Sequence, residues 1–209
     1  MKKLILGLLT LLIVAASGYF FYQYQPVPDV LPIEQTSTPV DASEPQQVDV
    51  LNNDWGQTPV DQLPRITKIK VYKAQRYMEL LAKDQIVRRY AIRLGFAPEG
   101  HKKEEGDGKT PEGNYIIDWR NPNSSYYKSL HVSYPNQADT KQAQDRGVSA
   151  GGDIMIHGTI NTKQGKEGEP LYRYMPNRDW TFGCIAVSNA VMDELWILIK
   201  NNTPIEIVP

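Results

Sequence analysis

The stretch ITKIKVYKAQRYMELLAKDQIVRRYAIRLG, Ile66 to Gly95, repeats one pattern three times. In ITKIKVYKA, Ile66 to Ala74, the apolar Ile69 and Val71 alternate with Lys68, Lys70 and Tyr72. Successive side chains of a strand point to opposite faces, so a period of two marks a strand with one face buried and one wet. RYMELLAK and QIVRRYAIRLG follow after short polar breaks, which predicts three antiparallel strands at the start of a folded domain.

Downstream the period stays near two. GNYIIDW (113–119), LHVSY (130–134), GDIMIHG (152–158) with its apolar Ile154 and Ile156, and PIEIVP (204–209) read as further strands. Only NAVMDELWILIKN (189–201) is strongly helical: Val191, Leu195, Trp196, Leu198 and Ile199 form an apolar stripe, and Ser188 or Asn189 can cap its start. The expected domain is therefore mainly β, a β-rich α+β fold with one clear C-terminal helix. Residues 158–180 form a long irregular loop, and such loops are commonly functional.

Upstream, Lys2 and Lys3 precede an uncharged apolar run from Leu4 to Phe21. At about 1.5 Å per residue, that run is long enough to cross a roughly 30 Å bilayer core. Residues 1–22 are thus expected to be a membrane anchor or a signal peptide, with the remainder outside the cytoplasm, on the periplasmic side of an inner membrane. No cysteine directly follows the run, which argues against a lipoprotein anchor. Residues 23–64 hold seven of the fifteen prolines and seven acidic residues, without lysine or arginine. This composition cannot offset the entropy of ordering and is read as an extended linker with a coil span of about 35 Å. Residues 65–209, 145 in all, suffice for one domain. They carry 21 basic and 17 acidic residues, a net +4 against −7 for the linker. That mild bias suits a carboxylate-bearing ligand and excludes the dense basic footprint of a nucleic-acid binder.

The chain has a single cysteine, Cys184, in RDWTFGCIAVSN (178–189). Outside the cytoplasm an unpaired thiol is exposed to oxidation, so its retention calls for a chemical use. A nucleophilic thiol needs a base, and the base needs an acceptor that fixes its tautomer. Of His101, His131 and His157, only His157 ends an apolar strand and is followed by glycine, where an imidazole can face a loop. His131 lies within an alternating strand and is read as structural; His101 lies in a charged loop and is read as solvated. GDGKT (106–110) ends like a phosphate-binding loop, but Lys103 stands where the first glycine is required, and Pro111 with Gly113 prevents the helix that must follow. One cysteine and scattered histidines offer no metal-ligand spacing, so neither metal nor cofactor is expected.

Together, IMIHGT (154–159), TFGCIAVSN (181–189) and GDGKTPEGNYII (106–117) resemble, in order and type, the signature of the L,D-transpeptidase (YkuD-type) catalytic domain. The resemblance covers essentially all of 65–209. It implies a β-sandwich in which Cys184 is the nucleophile, His157 its base, and the Gly158 carbonyl the group that orients the base. It also implies a peptidoglycan tetrapeptide stem as donor, attacked at its third-residue carbonyl with release of D-alanine, and an amine of another stem as acceptor. The amides of Gly183 and Cys184 are candidate oxyanion donors, and Thr181, Arg178 and Trp180 are candidate substrate contacts. Pairing with His157 leads one to expect a Cys184 thiol more reactive than ordinary below its usual pKa of about 8.5. Phe182 stands where many members carry histidine, Ala186 where many carry arginine or asparagine, and the interval from His157 to Cys184 is long. These departures bear on the acceptor and leave two alternatives: the same thiol with water as acceptor, as in an amidase or carboxypeptidase, or a non-catalytic wall-binding module.

Overall fold

The computed structural model describes residues 58–159 and 178–209. The N-terminal apolar run, most of the acidic linker and most of the long loop lie outside the described residues.

Strands β1 (Lys68–Tyr72), β2 (Tyr77–Ala82) and β3 (Gln85–Ala91) form the antiparallel meander that the alternation predicts. Ile69 faces Leu80 and Val71 faces Met78 across the first pair, and all four are fully buried. Each hairpin turn uses left-handed backbone, at Arg76 in the first and at Lys83 and Asp84 in the second. The chain continues through β4 (Gly113–Ser124), β5 (Tyr127–Val132), helix α1 (Gln137–Asp145), β6 (Met155–His157), β7 (Ile185–Ala186), helix α2 (Asn189–Leu198) and β8 (Thr203–Val208).

These strands make one eight-stranded sheet in the order β3-β2-β1-β8-β4-β5-β6-β7. The last strand, β8, sits at its centre, parallel to β1 and antiparallel to β4. The two edges are also joined. After β3 the chain crosses to β7, where the Arg93 amide donates to the Ala186 carbonyl at 2.9 Å and the Ala186 amide returns the bond at 2.8 Å. Gly95 forms a further bridge with Thr181. The layers of the expected sandwich are thus arms of one curled sheet around a single core, which takes Ile69 and Leu80 from one arm and Ile156 and Ile185 from the other.

Helix α2 closes that core with Val191, Met192 and Leu195. Burying each such side chain contributes about 1.5–3 kcal/mol. Ser188 is its cap, the hydroxyl accepting from the Val191 amide at 3.2 Å. Helix α1 is shorter and lacks an apolar stripe, burying only Asp139 and Ala143. It is held by a capping box in which Asn136 and Asp139 satisfy each other's amides.

Candidate active site

Strands β5, β6 and β7 lie side by side, and their register sets the site. Leu130, Ile156 and Ile185 align across the three strands and are buried in the core. Their neighbours in sequence necessarily face the other way. One row on that opposite face is Ser129, His157 and Ala186, all buried. The next is His131 and Met155, with Cys184 continuing the row just ahead of β7, its sulfur accepting the Met155 amide at 3.4 Å. All three members of this second row are partly buried. His157 and Cys184 are thus diagonal neighbours on one face, a separation of roughly 7–8 Å in the backbone that side chains can span.

His157 is 4% exposed, and its Nδ1 lies 2.6 Å from the Gly158 carbonyl oxygen. A carbonyl can only accept, so Nδ1 carries the proton and Nε2 is left with its lone pair, the form a base requires. Burial holds the imidazole below its usual pKa, opposed by the bond to Gly158. Tyr126 lies against the ring with centroids 4.8 Å apart, and Trp180 meets it edge-on at 5.6 Å. Gly158 has no room for a side chain, because a Cβ would stand 2.3 Å from Asn189 Oδ1, the atom that accepts the Thr159 amide at 3.0 Å.

Cys184 follows Gly183, whose φ of +128° belongs to glycine and whose absent Cβ would stand 2.6 Å from the Lys109 carbonyl oxygen. The thiol donates to the Asp153 carbonyl at 3.4 Å, and no bond joins it to an imidazole among the described residues. Burial pushes its pKa up, with the Met155 amide opposing. Both shifts favour a neutral thiol beside a neutral imidazole. Their direction runs against the expectation of a thiol activated in advance, since the desolvation that favours neutral His157 also disfavours thiolate.

The remaining candidates separate. Thr181 is buried and turned inward, its hydroxyl donating to the Cys184 carbonyl at 2.7 Å and accepting the Gly183 amide at 3.2 Å. It shapes the nucleophile loop and presents no free polar group to a ligand. The Gly183 amide is thus already engaged, whereas the Cys184 amide makes no hydrogen bond among the described residues. Trp180 is half-buried, and its indole Nε1 is a buried donor without a partner among the described residues. Arg178 is exposed, while the intervening Asp179 is anchored by the Leu94 amide at 2.8 Å and by Arg76.

Other residues support the site, and among them Lys73 and Phe96 did not stand out in the sequence. The GDGKT turn runs into β4 without an intervening helix and packs on the cysteine loop through Lys109. Lys73, 2% exposed, holds that turn from beneath: its Nζ donates to the Gly100 carbonyl at 2.7 Å, the Thr110 carbonyl at 2.9 Å and Glu112 at 2.8 Å. Beside the thiol, Phe182 and Phe96 meet edge-on with centroids 5.6 Å apart, both largely exposed. His101 is not merely solvated, since its Nδ1 accepts the Glu112 amide at 3.0 Å and its Nε2 pairs with Asp139 at 3.2 Å.

A thiol and a tautomer-fixed imidazole on the outer face of a curled, eight-stranded sheet define a class of protein, and the comparisons identify it. The L,D-transpeptidase catalytic domain (YkuD) model matches residues 66–207, and the chain belongs to that family. It is 28% identical over 135 residues to YafK of Escherichia coli K12, a provisionally named L,D-transpeptidase, covering 61% of this chain and 45% of that protein. Among solved structures, the helical cell shape determining protein Pgp2 of Campylobacter jejuni superimposes with a TM-score of 0.50 at 24% identity, over 68% of this chain and 47% of that one. Bd1075 of Bdellovibrio bacteriovorus gives 0.43 at 28% identity, over 69% and 48%. The chain spans a little under half the length of each of these proteins.

Proposed function

We propose that the chain is a cysteine-dependent peptidoglycan L,D-transpeptidase. The observation that carries this reading is the shared outer face of β6 and β7, where Cys184 stands diagonal to a histidine whose Nδ1 is committed to the Gly158 carbonyl. Nε2 of His157 takes the thiol proton as sulfur attacks the third-residue carbonyl of a tetrapeptide stem. The tetrahedral oxyanion is met by the Cys184 amide, joined by that of Gly183 if it releases Thr181; each such donor is worth roughly 3 kcal/mol. The imidazolium then protonates the departing amine, D-alanine leaves, and a thioester remains on Cys184. Arg178 suits the terminal carboxylate of the stem, and Trp180 with Tyr126 walls the donor site. An amine of a second stem resolves the thioester and forms the cross-link.

The same reading places the catalytic domain in the cell envelope. Residues 1–22 anchor it to the inner membrane, and the linker 23–64 sets its reach towards the wall. Fractionation of cells with N-terminal sequencing of the product tests this; a mature chain beginning near Ser17 and recovered in the soluble fraction contradicts the anchor. The activity is tested by incubating the full-length chain with purified tetrapeptide stems and analysing products by mass spectrometry. Free D-alanine together with a cross-linked dimer supports transfer to an amine. A trimmed tripeptide alone identifies water as the acceptor, and unaltered stems with bound but unmodified protein identify a wall-binding module.

A further inference from the structure

The partly buried row on the outer face does not end at the thiol. Two strands away, in register with Met155 and hence with Cys184, stands His131. Its Nδ1 lies 2.6 Å from Asp118 Oδ1, and its ring stacks on Trp119 with centroids 4.8 Å apart and planes within 18°. A carboxylate accepts, so Nδ1 is the nitrogen that donates to Asp118, and Nε2 is the nitrogen left for another partner. Neighbouring strands lie about 4.8 Å apart, which puts the His131 and Cys184 backbones about 10 Å from each other with Met155 as the floor between them. A group lying over Met155 would stand between the two side chains. The row therefore has a second imidazole, oriented by Asp118 and stacked on Trp119, at its far end.

Resting on the reading above, in which a thioester forms on Cys184, we propose that His131 is the acceptor-side base and that Asp118 positions it. Proton balance explains the need for two imidazoles. A lysine-type amine, of ordinary pKa about 10.4, arrives as an ammonium ion and must lose one proton before its nitrogen can attack. That proton goes to His131 Nε2 and on to solvent. As the C–N bond forms, a second proton leaves the same nitrogen for His157, which passes it to the sulfur as the C–S bond breaks. Water loses only one proton in attacking, and His157 alone handles it. The Asp118–His131 pair thus selects for amine transfer over hydrolysis, and the carboxylate stabilises the imidazolium that forms.

The test uses the full-length chain and separates the half-reactions. His131→Gln keeps a donor towards Asp118 and removes the base; Asp118→Asn keeps the shape and removes the charge. Thioester formation, read as D-alanine released in the first turnover, is expected to stay within about twofold of wild type in both variants. Transfer to a lysine-type side-chain amine at pH 7 is expected to fall at least tenfold in His131→Gln, within the range general bases supply. Transfer to hydroxylamine, already neutral at that pH, is expected to stay within about twofold. Equal losses with both acceptors make the pair a structural support and overturn the proposal, as does undiminished transfer to the lysine-type amine. If wild type itself releases no D-alanine, the failure lies in the underlying thioester reading and takes this inference with it.

Discussion

At the residue scale, one burial controls both partners of the site. His157 stays neutral because desolvation outweighs its bond to Gly158, and Cys184 stays a thiol for the same reason. In the proposed reaction such a pair works by general-base catalysis, with the proton moving only when substrate is attacked. The expected consequence is that alkylation of Cys184 by iodoacetamide, followed against pH, has its midpoint above about 8.5 in the native chain and near 8.5 in the denatured one. A native midpoint below 8.5 would mean a standing thiolate–imidazolium pair. Stability follows the same signs. As pH falls through about 6.5 the unfolded chain takes up the His157 proton before the folded one, so the folded state loses ground. As pH rises past about 8.5 the unfolded chain releases the Cys184 proton first, with the same outcome, which places the most stable range between those limits for these two groups.

At the element scale, the turn preceding β4 is what backs the nucleophile loop, and Lys73 is what holds the turn. Lys73→Met leaves two carbonyls and Glu112 without their cation, a loss expected to cost about 3–5 kcal/mol of stability, since breaking a buried pair strands its partner. Glu112→Gln keeps a neutral acceptor for Lys73 and is expected to cost less than half of that; urea unfolding of both variants checks the order. This support was hard to see in the sequence because Lys73, although in phase with the buried Ile69 and Val71, lies just past the end of β1, where a lysine reads as a wet turn residue. The strands themselves were legible, since Ile69, Val71 and Ile156 obey a period of two wherever one face is buried. Helix α1 was not, because its polar face dominates and its only signal is the Asn136 to Asp139 capping box. Cys184 and His157 were singled out by the strand end at His157, the lone thiol and the family resemblance, and the register of β6 and β7 brings them to one face. The role of Thr181 was not, because whether a hydroxyl turns inward depends on the backbone path around Gly183. His131 was read as structural because a sequence cannot show that β5 aligns it with Met155.

At the scale of the whole molecule, the curled sheet is what brings distant segments to one place. The chain from β3 bridges to β7 at Arg93, and the central β8 binds the end of the domain to its beginning at β1, so the cysteine loop is enclosed by backbone from both arms. The central claim is that this enclosure presents Cys184 for acyl transfer with His157 as its base. The most direct measurement is the intact mass of the full-length chain, rapidly quenched in acid after mixing with a tetrapeptide stem. The account predicts a single adduct equal to the stem less D-alanine, mapped to Cys184, absent in Cys184→Ala and formed at least a hundredfold more slowly in His157→Ala, in keeping with the loss of a general base. An adduct that persists in Cys184→Ala, or one that forms at an unchanged rate in His157→Ala, would contradict it.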